Sequence, residues 1–173
     1  MVVPLTLEEQ KDQNWFKPSK KLGLYIGISD YSEIAREIDG KAFPVQSMPQ
    51  VKTDVLRFMN CMEKYEVTTQ ECLIDQKSKS IDDAANKLIS ILKADKKMVP
   101  ANNLLIVLLY AGLGAQSEGL QVLVQNELHP KTGKVRMYMA EAKLRVWSET
   151  FPNAYIICVM ACDRHVYQDK IFD

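Results

Sequence analysis

The chain has 173 residues, room for one domain with a sizeable core and little more. Hydrophobic residues make up 47% and charged residues 25%, which excludes disordered, collagenous and low-complexity classes. Twenty-two basic residues balance twenty-two acidic ones, so no global charge draws the chain to nucleic acid through phosphate neutralisation.

Residues 1–20 carry two prolines, several charges and few periodic apolar positions, and read as an N-terminal arm. The arm is too polar and acidic for a signal or transit peptide. Its Trp15 and Phe16 are a candidate contact with a partner or with the domain itself, which runs from residue 21 to 173. Leu22-Gly-Leu-Tyr-Ile-Gly-Ile-Ser29 is a short apolar run that suits a strand buried on both faces. A loop follows, punctuated by Gly40, Pro44 and Pro49. Val51, Val55, Phe58, Met59 and Met62 then mark one face of a helix over 50–65. Glu71 to Asp75 reads as a strand, and Ser80 as the N-cap of a helix whose stripe is Ile81, Ala85, Leu88, Ile89 and Leu92.

Leu104 to Ala111 is the clearest buried strand. The apolar run from Leu104 to Ala115 is far too short to span a membrane. Leu120 to Val124 suits a short strand before a Pro130–Gly133 turn. Ala140, Leu144, Trp147 and Phe151 mark a third helix face, and Ala154 to Ala161 a last apolar strand. Strands alternate with helices and lack in–out alternation of their own. The fold class is therefore α/β, a three-layer sandwich around a mainly parallel sheet.

The chemistry of such folds lies at the carboxyl ends of the strands. Here those ends are Ser29-Asp30-Tyr31, Gly112-Leu113-Gly114 and Cys162-Asp163-Arg164. Gly112-x-Gly114 lacks the third glycine of a dinucleotide loop, and no Gly-Lys-Ser/Thr occurs, so no nucleotide cofactor is expected. The cysteines (Cys61, Cys72, Cys158, Cys162) form no CxxC pair and the only histidines are His129 and His165, so no metal site is expected either. Reduced thiols fit an intracellular, cytoplasmic compartment.

Taken together, these segments resemble the caspase-like peptidases (caspases, metacaspases and paracaspases) from about Leu22 to Arg164. Leu22 to Tyr31 resembles that family's first strand and loop, and Val51 to Phe58 its first helix. Leu105 to Gly114 resembles the strand ending in the histidine motif, usually Gly-His-Gly or Ser-His-Gly. Ala154 to Cys162 resembles the strand that delivers the nucleophile. The separation of Leu113 and Cys162 is close to the roughly 50 residues between histidine and cysteine in caspases. The resemblance implies a flavodoxin-like strand order, with Cys162 at the nucleophile position, Gly114 at an oxyanion-hole position and Leu113 where the family has its histidine.

Leucine cannot accept a proton, so the resemblance also implies that catalysis is lost. The motif Met160-Ala-Cys-Asp-Arg164 departs from the caspase Gln-Ala-Cys-Arg-Gly and lacks the metacaspase aspartate two residues before the cysteine. No arginine lies between Arg36 and Arg57, where caspases place one for the P1 aspartate. The expected function is a pseudopeptidase acting as a binding or scaffold component of a larger assembly. An active endopeptidase using Cys162, with a base from His165 or from a partner chain, is the alternative. Most of the family's small-subunit region is missing after Cys162. The last strand is thus expected at the sheet edge, and Ala154, Ile156 and Val159 are expected to be covered by a protein partner or a second copy.

Overall fold

The computed structural model describes residues 18, 20–34, 37–38, 41–42, 47–94, 104–117 and 120–165. Most of the expected N-terminal arm, Trp15 and Phe16 included, lies outside them. The elements run β1 (Lys20–Gly27), β2 (Glu37–Ile38), β3 (Lys41–Ala42), α1 (Gln50–Lys64), β4 (Thr69–Ile74), α2 (Ser78–Ala94), β5 (Leu104–Ser117), β6 (Leu120–Leu128), β7 (Val135–Tyr138), α3 (Ala140–Thr150) and β8 (Tyr155–His165). Strands β2 and β3 pair only with each other.

The other strands form a six-stranded open sheet in which β1, β4, β5 and β8 are parallel and β6 and β7 antiparallel. The central strand is β5. It pairs with β1 from Leu104 to Ala111 along one edge and with β8 from Leu105 to Ala115 along the other. Beyond Ala111 the first edge is taken over by β6, which folds back from Ser117 and pairs with β5 as far as Gly114. The β6–β7 hairpin therefore lies past the carboxyl end of β1.

Alternating side chains of β5 feed two cores, as expected of a strand with both faces covered. Leu105, Val107, Leu109 and Ala111 join Val51 and Val55 of α1. Leu104, Ile106, Leu108 and Tyr110 join Ile81, Ala85 and Leu88 of α2 and Ala140 and Trp147 of α3. Helices thus cover both faces in an α/β arrangement. The alternation slips by one residue at Gly112, after which Leu113 and Ala115 enter the same core as Tyr110. The φ of +152° at Gly112 makes that slip possible.

Three expectations need correction. Ser80 is not the N-cap: α2 begins at Ser78, whose N–H donates to the Glu127 carboxylate (3.0 Å), so a side chain from β6 does the capping. The strands expected to stop at Ala111 and Ala161 continue to Ser117 and His165. Gly112 and Gly114, expected at a strand end, lie inside β5, whose pairing with β8 runs through both without a break. Finally, β7 has no counterpart in the expected elements. Only four residues long, it follows the Pro130–Thr132 turn.

Candidate functional site

The carboxyl end of β1 is fixed by Asp75, the residue after β4. Its carboxylate accepts from the Ser29 N–H (2.6 Å), the Ser29 hydroxyl (2.7 Å) and the Asp30 N–H (3.0 Å), while its own N–H donates to the Gly27 carbonyl (2.8 Å). A φ of +52° at Asp75 turns the chain sharply enough to make all four bonds, a conformation that aspartate tolerates better than most residues. The Ser29-Asp30-Tyr31 segment is thereby held over the end of β5.

From there Tyr31 reaches into the sheet. It is 1% exposed, and its hydroxyl accepts the Leu113 N–H at 2.6 Å. Tyr110, fully buried, donates to the Val124 carbonyl (2.7 Å) and lies 3.1 Å from the Leu113 carbonyl. The two tyrosines and Leu113 form one closed network at the end of β5. Burial, first of all, pushes the Tyr31 hydroxyl up to about 12, against the Leu113 N–H and the Tyr110 hydroxyl, which favour its phenolate. Asp75 and Cys162 add smaller pushes upward. Tyr110 is also raised, by burial and then by Tyr31 and Cys162. Both phenols stay protonated at neutral pH, and neither is a base.

Leu113 is 4% exposed and packed in the larger core, and Cys162 is a partly buried neighbour of that core. In register, Cys162 faces Gly112, Asp163 faces Leu113, Arg164 faces Gly114 and His165 faces Ala115. The Gly112–Gly114 and Cys162–Arg164 segments are therefore adjacent stretches of an unbroken ladder, and the strands run on past the ends the sequence suggested. Gly114 is paired on both edges, with β8 through Arg164 and with β6 through Leu123. Its backbone belongs to the sheet and does not face an open oxyanion position. The backbone of β8 carries His165 three residues, roughly 10 Å, beyond Cys162. His129 lies in the β6–β7 turn, where its Nδ1 accepts the Thr132 N–H at 3.3 Å. Among the described residues, no group of three or more His, Cys, Asp or Glu could hold a metal ion.

β8 pairs with β5 alone among the described residues. Ala154 and Ile156 are partly buried against the larger core and Val159 against the smaller one. Their neighbours Tyr155, Ile157 and Met160 are 42%, 49% and 41% exposed. The strand is uncharged from Tyr155 to Cys162. Among the described residues no helix is long and apolar enough to cross a membrane.

No protein-family model matches the chain, and no curated protein is significantly similar to it. Tyr31 lies in a strand end the sequence singled out, whereas Tyr110 is the residue of this network that sequence reasoning missed. The one available signal was Tyr110 two residues before the Gly112-x-Gly114 pair.

Proposed function

We propose that the chain is a catalytically inactive, caspase-like domain that works by binding another polypeptide. The reading is carried by Leu113, which stands at the family's histidine position, is buried, and has its N–H engaged by Tyr31. Supporting it, the parallel strands run in the order β4-β1-β5-β8, second-first-third-fourth in sequence, which is the flavodoxin-like order. All four cysteines are thiols, in keeping with an intracellular, cytoplasmic setting.

Binding is assigned to the outer edge of β8. A long apolar edge strand is a template for strand addition, by a protein partner or by a second copy of the chain. Analytical ultracentrifugation tests this. Alone, at micromolar concentration, the chain is expected to sediment above its 19.7 kDa monomer mass in a concentration-dependent manner. Ile157→Lys, which places a charge on an exposed position of that edge, is expected to return it to monomer without loss of fold. A wild-type chain that stays monomeric and does not aggregate would contradict the assignment.

A further inference from the structure

On the face of the sheet that carries α1, the amino end of β8 is left uncovered among the described residues. Side chains of β8 alternate: Ala154, Ile156 and Cys158 pack against the larger core, so Tyr155 and Ile157 point to the opposite face, where Val159 meets the smaller core. On that face α1 packs over β1, β4 and β5, whereas α2 and α3 share the other face. Tyr155 and Ile157 are half-exposed, although their register partners on β5, Leu105 and Val107, are buried. The result is an apolar corner of sheet with no described helix over it.

Where β1 starts says what reaches this corner. Lys21 of β1 and Tyr155 of β8 pair with opposite edges of the same β5 residue, Leu105. They are thus two strand spacings apart, roughly 10 Å. Trp15 precedes Lys21 by six residues, a reach of up to about 20 Å. The residues before β1 therefore leave the sheet beside the uncovered corner, whereas those after His165 leave β8 at its far, carboxyl end.

Area narrows the occupant further. The exposed parts of two such side chains amount to on the order of 200 Å², the area that one or two aromatic rings cover, against the roughly 800 Å² that a stable interface takes from each partner. Trp15-Phe16 is the aromatic pair of the polar arm and fits the corner in both reach and size. We propose that Trp15 and Phe16 of the chain's own arm dock on Tyr155 and Ile157 and close the α1 face at the amino end of β8. Docking there occupies side chains and leaves the backbone edge of β8 open. The proposal is therefore independent of strand addition at that edge.

Tryptophan fluorescence of the full chain tests it. The other tryptophan, Trp147, is 2% exposed, so quenching by acrylamide reports on Trp15. The emission is expected to resist quenching to the same degree at every chain concentration. Ile157→Lys is expected to release Trp15, raising its quenching severalfold and shifting the emission to the red. Ile91→Lys, a like change at an exposed position of α2 across the sheet, is expected to leave both unchanged. Trp15→Ser is expected to lower the melting temperature by about 3–6 °C, the worth of one partly buried ring in a domain of this size, and to have no further effect in the Ile157→Lys background. A Trp15 quenched as readily as free tryptophan in the unchanged chain would overturn the proposal. So would resistance that grows with concentration, which would put a second copy on the corner. Resistance that persists in Ile157→Lys, or is lost equally in Ile91→Lys, would place the arm elsewhere and overturn it as well.

Discussion

Gly112→Ala is expected to destabilise the chain by roughly 3–5 kcal/mol, the sum of backbone strain and overpacking. A Cβ at this position would stand 2.5 Å from the Tyr31 hydroxyl, 3.0 Å from the Ile28 carbonyl and 3.1 Å from the Tyr110 hydroxyl. Rotating Tyr31 away cannot relieve it, since that hydroxyl is the partner of the Leu113 N–H and the Ile28 carbonyl is backbone. The φ of +152° adds a conformational cost that no neighbour can absorb. Urea denaturation followed by circular dichroism measures the loss. Gly114→Ala is the comparison to run beside it, because Gly114 has no left-handed φ and should cost less. Equal, small losses at both positions would contradict the tight packing of Gly112 against the tyrosine network.

Alkali is expected to unfold the chain steeply. Tyr31 titrates near 10 when exposed and is pushed up to about 12 in the fold, so its protonated form is favoured by folding. A group raised in this way contributes stability that is fully present below its unfolded value and is lost as the pH climbs through its folded value. Two pH units correspond to roughly 3 kcal/mol, lost between about pH 10 and 12. Tyr25, Tyr110 and Tyr138 are raised by burial in the same direction, which makes the limb steeper. Urea midpoints from about pH 8 to 11.5 should therefore fall sharply above 10. Tyr31→Phe should lower stability by about 1–3 kcal/mol at pH 8, because it strands the Leu113 N–H, and should flatten the alkaline limb. Stability that holds level to pH 11.5 would mean that these phenols are not buried as described.

The parts of the fold legible in the sequence were those whose signal is local. The run from Leu22 to Ile28 is buried along its whole length, as an apolar strand without alternation implies. The stripe from Val51 to Met62 lies on α1, and Trp147 anchors α3 in the core. What was not legible depends on long-range partners. The Leu113–Tyr31 bond joins residues 82 apart in the chain, and a tyrosine at the end of an apolar run looks like any other core residue. The cap of α2 comes from Glu127, 49 residues away from Ser78, so Ser80 was the better local candidate. Likewise Asp163 and Arg164 looked like the exit from a strand, whereas β8 continues to His165. The strand ends at which Leu113, Gly114 and Cys162 were expected do lie side by side in the sheet. That the two segments continue as one paired ladder was not legible, because cross-strand pairing between residues about 50 apart is a tertiary fact.

In the silenced site proposed above, Cys162 reacts as an ordinary thiol. Its rate of alkylation by iodoacetamide, followed by peptide mass spectrometry from about pH 5 to 10, tests that claim without any choice of substrate. A slow reaction that rises only above about pH 8.5, the ordinary range of a cysteine thiol, is expected. A fast reaction already saturated near neutral pH would reveal a thiolate with a partner base, and would contradict it.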